Sequence, residues 1–466
     1  MEKTKKKIDM LNGPIWSKLP LFALPVAATG ILEQLFNAAD IAVVGNFSST
    51  DRTAAVAAVG ANAPVIGLIL NLFIGIALGT NVVIANAIGR SDRDTVHRAV
   101  HTSILLSFIG GIIISIIGEL AAPGVMSMLN VPDDVLPYAL MYLRIYLIGM
   151  PVILLYNFEA AIFRSVGETK VPLEALVISG VLNVILNLFF VIVLDMSVNG
   201  VAISTVISNV VSAAILLLKL MKTDKYIHVD LKKLRIDKTS FVSIMRIGLP
   251  AGIQSGVFSI SNIIIQSAIN SLGTVVMAAS SAALNIEIIA YDVMNSFSQA
   301  CTTFVGQNYG AKQIKRCRKT LLLCIAEDAI ASGTAIAIVL ITGKFLLSMF
   351  NSDPQVIEIG YTRLMIIFFA YIFSMLYENM SGYLRGFGIS LVPAILTTIG
   401  VCGVRIFWIN AIFPTSRTFS TIMLAYPISL STTALLIFIA LLIFHPSKRY
   451  AEEETEKKSL DSEDKS

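Results

Sequence analysis

A carboxylate embedded in apolar sequence is the first chemistry this chain offers. Asp40 stands in the run Ala38 to Val44, fifteen residues after Pro25. A charged Asp at the centre of a bilayer costs about 2.5–3.5 kcal/mol on insertion scales, so it needs a partner, a wet cavity or a proton. Desolvation favours the neutral form, so such a group can load and release a proton, and a helix weakened by proline can bend as its charge changes. Solvation near the outer end of the segment is the competing reading of Asp40. Glu33 lies seven residues earlier, two helical turns back on nearly the same face, where Gln34 and Asn37 would extend a polar stripe. A paired structural carboxylate would look the same. Asn183 and Asn187 are four residues apart and share one helix face. Their amides can hydrogen-bond a carboxyl group, and their carbonyl oxygens suit a hard cation. Asp40, Asn183 and Asn187 are therefore the one set with chemistry for sodium, although asparagine also serves as glue between membrane helices.

Glu159 and Glu378 fall in comparable segments of the two halves, without being equivalent positions. Facing a lumen they would attract a cationic ligand; packing explains them equally well. Asp292 lies five residues after Glu287, off its face, and Arg405 is its candidate partner. Tyr156 and Met294 offer a ring and a soft thioether to varied ligands, with ordinary packing as the alternative. Cys301, Cys317, Cys324 and Cys402 form no CxxC pair. His97, His101, His228 and His445 lie near one boundary or in loops. No cofactor, no firm metal site and no enzyme are expected from such a set.

These groups must be carried by membrane helices. The 466 residues are 55% hydrophobic and 14% charged, against roughly 25% charged in soluble domains. An all-α integral membrane protein of twelve transmembrane helices is expected. Six spans fall near 17–45, 54–87, 99–121, 135–163, 172–194 and 198–220, and six near 244–271, 275–308, 320–343, 355–383, 391–413 and 420–444. The domains are then a cytoplasmic N-terminal arm (1–16), an N-terminal six-helix lobe (17–220), an inter-lobe loop (221–243), a C-terminal six-helix lobe (244–445) and a disordered cytoplasmic tail (446–466). Lys and Arg cluster in alternate connections, including Lys3 to Lys7, Arg90 to Arg98 and Lys312 to Lys319. That bias puts both termini in the cytoplasm of a cell-membrane protein and explains the charge of +4 without nucleic acid. No small-residue cleavage site follows the first residues promptly, so no signal peptide is read.

An offset of 221 residues superposes landmarks of the two halves: Asn130 on Asn351, Gly89 on Gly310, and Arg164, Gly167 and Pro172 on Arg385, Gly388 and Pro393. With an even number of helices in each half, the repeat is parallel about an axis along the membrane normal. Such repeats in transporters flank a central site.

The stretch Thr302-Thr303-Phe304-Val305-Gly306-Gln307-Asn308-Tyr309-Gly310-Ala311 resembles a signature of multidrug and toxin extrusion (MATE) transporters. Asn285-Ile286-Glu287 with Ala290-Tyr291, Leu384-Arg385-Gly386-Phe387-Gly388 and its counterpart Phe163-Arg164-Ser165-Val166-Gly167, and Phe36-Asn37-Ala38-Ala39-Asp40 are similar to further motifs of that family. The likeness spans essentially 17–445. It implies two pseudo-symmetric six-helix lobes around a central cavity. It also implies a secondary antiporter that exports small amphipathic, often cationic drugs or metabolites in exchange for H+ or Na+. The family's arrangement would bring Thr205 near Asp40 and turn Glu287 toward the cavity. Ion coupling then falls to Asp40, Glu33, Asn183, Asn187 and Thr205. Substrate binding falls to Gln34, Asn37, Glu159, Glu287, Asp292, Tyr156, Met294 and Glu378. Asn187 stands where many members carry an Asp. The lipid bilayer and the cargo are the expected partners, with the chain acting as a monomer. A lipid-linked precursor flippase of the same superfamily is the alternative. A major-facilitator transporter fits less well, because after Asp92-Arg93 the loop runs Asp94-Thr95-Val96-His97.

Overall fold

The computed structural model describes residues 8–48, 52–129 and 131–446. Lys3 to Lys7, Asn130 and the expected tail beyond 446 lie outside these residues.

Long apolar runs can satisfy their backbone groups in lipid only as helices, and this chain forms them at each expected place. In chain order they are α1 (Leu19–Phe47), α2 (Arg52–Gly89), α3 (Arg93–Met128), α4 (Leu136–Ile148), α5 (Met150–Ser165), α6 (Lys170–Leu188) and α7 (Val198–Lys222). They continue with α8 (Lys238–Asn270), α9 (Thr274–Gly310), α10 (Ile314–Ser348), α11 (Pro354–Gly386), α12 (Leu391–Thr397), α13 (Val404–Phe407) and α14 (Phe419–Phe444). A π-helical extension, Phe189–Val193, lengthens α6, and π turns join α12 to α13 within the rod Leu391–Thr415. Among the described residues eleven helical segments are long and apolar enough to span a membrane, and α4 with α5 makes a twelfth. Large side chains left outward, such as Leu120 and Ile341, suit a lipid-facing surface.

The fourth span differs from the single helix expected: α4 and α5 meet at 51°. Gly149-Met150-Pro151 explains the break, because proline lacks the N–H that would continue the ladder. The same offset lands on Ala370-Tyr371-Ile372, where α11 runs unbroken.

The repeat is written into the backbone. Ser91 and Lys312, 221 residues apart, both take left-handed φ (57° and 59°), and Gly167 and Gly388 do so at 81° and 82°. Their turns match bond for bond. Arg90 N donates to Asn86 O as Ala311 N does to Gln307 O, and Gly167 N to Arg164 O as Gly388 N does to Arg385 O. These are helix C-caps, where glycine bears a positive φ without steric cost.

The described chain forms two compact units. One contains residues up to Ala27, Ala85–Asp92 and Ile253 onward; the other contains Ala28–Ile84 and Arg93–Gly252. In the first, the repeat-related Gly89 and Gly310 lie against each other's helices. A Cβ on Gly89 would overlap the Gln307 backbone, and one on Gly310 the Asn86 backbone. Its core runs through Phe22, Phe297, Phe304, Tyr377 and Ile422. Met10 and Ile15 of the N-terminal arm are buried there, with Asn308 Nδ2 and Arg316 Nη2 donating to Met10 O at 3.1 and 3.0 Å. The second unit packs Val44, Ala55, Met126, Tyr142 and Met150. Gly75 and Gly79 of α2 there face Gly252 and Gly248 of α8 at backbone contact, a small-residue meeting that lets two helices approach closely. The loop after α7 is tied to α3: Asp230 N donates to His101 Nε2 and Asp237 N to Thr102 Oγ1. Asp237 caps α8 through the N–H and hydroxyl of Ser240, which hold its carboxyl below the usual range.

Candidate ion-coupling site

Asp40 lies in the last two turns of α1 and is 5% exposed, so solvation at the end of the span is not its situation in this structure. α6 supplies Asn187, whose Nδ2 donates to Asp40 Oδ1 at 2.5 Å, and α7 supplies Thr205, whose hydroxyl donates to Oδ2 at 3.1 Å. Asn187 Nδ2 also donates to Asn183 Oδ1 at 3.2 Å, and Asn183 Nδ2 reaches Thr205 Oγ1 at 3.4 Å. The helices approach because Gly180, one face-repeat before Asn183 and Asn187, leaves room for the Phe36 ring. A Cβ at Gly180 would overlap that ring. Phe36 is one turn before Asp40, so the same contact that seats the ring sets the carboxylate against the asparagines.

Electrostatically the site is unusual. Among the described residues no Lys, Arg or His pairs with Asp40, and its partners are neutral donors. Asn187 Oδ1 is buried without a partner. The carboxylate, Asn183 Oδ1, Asn187 Oδ1 and Thr205 Oγ1 together offer a small oxygen set. It can take a proton on the carboxylate, or a hard cation among the oxygens.

The other candidates from the first half are dispersed. Glu33 is half-buried and acts electrostatically on Tyr156 and Arg164, while Gln34 and Asn37 are exposed. Tyr156 is buried, with its hydroxyl 3.5 Å from Pro172 O. Glu159 is fully buried, and among the described residues both of its carboxyl oxygens lack a hydrogen-bond partner.

In the second half Glu287 is not free. Arg363 of α11 donates to its Oε1 and Oε2 at 2.7 and 3.0 Å, with both side chains buried, and Ser280 accepts another guanidinium N–H at 2.6 Å. Asp292 does not meet Arg405. That buried guanidinium donates to Asn262 and Ser429 and lies 4.3 Å from the Tyr426 ring centroid. One carboxyl oxygen of Asp292 is buried without a partner. Met294 is buried, as is Glu378, which feels Arg385 and Tyr377.

Two features escaped the sequence reading. Arg363 is a single charge in a long apolar span, and nothing in the spacing couples positions 287 and 363. Asp328 carried a signal: Glu327-Asp328 stands inside the apolar ninth span, where a carboxylate needs a reason.

Twelve spans in two repeated halves of six, with a carboxylate buried among neutral donors, define a polytopic membrane protein. The MatE family profile matches residues 25–189 and 250–409, one stretch in each half, and the chain belongs to the MATE family of transporters. It is 25% identical to the probable multidrug resistance protein YoeA of Bacillus subtilis, over 84% of this chain and 86% of that one. It is 27% identical to the probable multidrug resistance protein NorM of Thermotoga maritima, over 84% of each. A FAD transporter of Shewanella oneidensis is 24% identical over 76% of this chain and 78% of its own. Among solved structures, MATE in the bent conformation superposes with a TM-score of 0.86 at 21% identity, over 97% of this chain and all of that one. A MOP superfamily transporter from Pyrococcus furiosus gives 0.87 at 23% identity, over 97% of this chain and 100% of its own.

Proposed function

We propose that the protein is a multidrug antiporter that exports small amphipathic, often cationic compounds in exchange for H+ or Na+ loaded at Asp40. The observation that carries this reading is a buried carboxylate held by an amide and a hydroxyl, with no cation beside it among the described residues. A charge so placed is costly, and a positive ion relieves the cost. Because α1 bears both Pro25 and Asp40, loading would change the bend of that helix and with it the affinity for cargo. The names of the relatives, multidrug resistance proteins among them, support the cargo class. In this reading both termini are cytoplasmic, the protein sits in the cell membrane, the monomer is the working unit, and no cofactor takes part.

The test is reconstitution in lipid vesicles, with the pH and sodium gradients imposed separately and efflux of a cationic dye recorded. Dye movement driven by one of the two gradients is the expected result. Movement that ignores both would end the antiport reading.

A further inference from the structure

Asp328, in α10, is held as Asp40 is in the other compact unit, by a hydroxyl and a carboxamide. It is fully buried. Ser332, one turn on, donates its hydroxyl to Oδ1 at 2.6 Å, and Asn379 of α11 donates Nδ2 to Oδ2 at 2.6 Å. No Lys, Arg or His bonds it among the described residues. Asn379 Nδ2 also donates to Met375 O at 2.9 Å. Flipping that amide would set its oxygen against two acceptors, so the orientation is fixed. Asn379 is 0% exposed, and its Oδ1 is buried with no donor to accept from among the described residues. Asn187 Oδ1 is orphaned in the same way beside Asp40. A buried acceptor without a donor needs a physical reason, and beside a carboxylate that meets only neutral donors a bound proton or ion is one.

The likeness is not a product of the internal repeat. The 221-residue offset places Asp328, Ser332 and Asn379 on Ser107, Gly111 and Phe158, and the first spans, which match four residues later through Leu24-Pro25 and Leu249-Pro250, place Asp40 on Ile265. Carboxylate, carboxamide and hydroxyl were therefore assembled twice from unrelated helices, α1, α6 and α7 in one unit and α10 and α11 in the other.

We infer that Asp328, with Ser332 and Asn379, is a second proton-binding site, in the unit that does not hold Asp40. The arriving proton bonds to Oδ1, and the Ser332 hydroxyl turns from donor to acceptor, since it has lone pairs for that role. Asn379 keeps donating to Oδ2. A metal ion fits this site less well than the Asp40 site, because hard cations gather many oxygens, and one hydroxyl and one amide meet this carboxylate where one hydroxyl and two amides stand around Asp40. The titratable groups around it are Cys324 and Glu327 on α10, Cys301 on α9 next to Cys324, and Glu378 and Tyr377 on α11. Glu378 acts on Asp328 directly, and both carboxyl oxygens of Glu327 are buried without partners. Arg385 acts on Glu378 and Arg405 on Tyr377, but among the described residues no cation acts on Asp328 itself. The use of the site in transport rests on the antiport reading; the binding of a proton does not.

Acid-minus-alkaline infrared difference spectra of the full chain in lipid vesicles test this. Asp328→Asn is expected to remove one protonated-carboxyl C=O band, distinct from the band removed by Asp40→Asn. Asp328→Glu is expected to keep the band and shift its frequency, which decides the matter should the Asn variant fail to fold. A spectrum unchanged in Asp328→Asn, or unshifted in Asp328→Glu, overturns the inference. So does sodium titration at constant pH that abolishes the Asp328 band, since that assigns the site to a metal ion. An Asp328 band present while Asp40→Asn removes nothing would support this site and count against proton loading at Asp40.

Discussion

Asp40→Asn removes a charge and almost nothing else. The amide is the size of the carboxylate, its oxygen can accept from Asn187 Nδ2 as Oδ1 does now, and its NH2 can donate to Thr205 once that hydroxyl turns. Two neutral hydrogen bonds of about 0.5–1.5 kcal/mol each replace two charge-assisted ones of about 1.5–3, and the variant is expected to fold. What disappears is the cost of an ionised Asp in a membrane interior, about 2.5–3.5 kcal/mol. That sum is the most its charge can contribute to a conformational balance, and at 1.36 kcal/mol per tenfold it corresponds to a shift of about a hundredfold. In the native chain the affinity for a fluorescent dye should therefore change by up to about a hundredfold between cation-free and cation-loaded conditions. In Asp40→Asn it should be flat. Dye binding to purified protein across pH and sodium series measures both. An Asn variant whose dye affinity still follows pH or sodium as the native chain does would refute the reasoning.

Other consequences are equally open to measurement. Arg363→Met strands Glu287 without its cation and is expected to cost about 3–5 kcal/mol of stability; adding Glu287→Gln should return part of it. Thermal unfolding of the two single variants and the double variant reads this coupling, and strict additivity would remove the pair from the stability account. Gly180→Ala drives a methyl group into the Phe36 ring and is expected to cost about 1–3 kcal/mol by overpacking. Phe36→Leu in the same chain should relieve it, and a failure to do so, read by the same unfolding assay, would mean that Gly180 has another role.

The sequence was most legible where one physical rule acted alone. Length and apolarity located every span, because a helix is the only way for these runs to satisfy their backbone in lipid. The offset of 221 residues pairs Gly89 with Gly310 and Gly167 with Gly388, and the backbone repeats at the second pair and at Ser91 and Lys312 just after the first, since a helix end has a local cause. The break between α4 and α5 was legible in principle from Pro151 but was read as a single span. Asp40 was singled out by its apolar neighbours. The likeness to a family, rather than spacing, brought in Thr205.

Pairings across the chain had no such local signature. Glu287 was singled out, yet its partner Arg363 is 76 residues away, and Asp292 and Arg405, which the sequence allowed as partners, face different groups. Charge type and helix period state which residues share a face of one helix; they do not state which faces of two helices meet. That choice depends on close approach at positions such as Gly180, where a missing side chain lets Phe36 in and brings Asp40 to Asn187. The amino-acid order by itself determined twelve membrane helices, their duplication and the cost of each buried acid. Tertiary packing alone decided which acids are neutralised by arginine and which are left among neutral donors, because those meetings are set by the fit of helix surfaces distant in sequence.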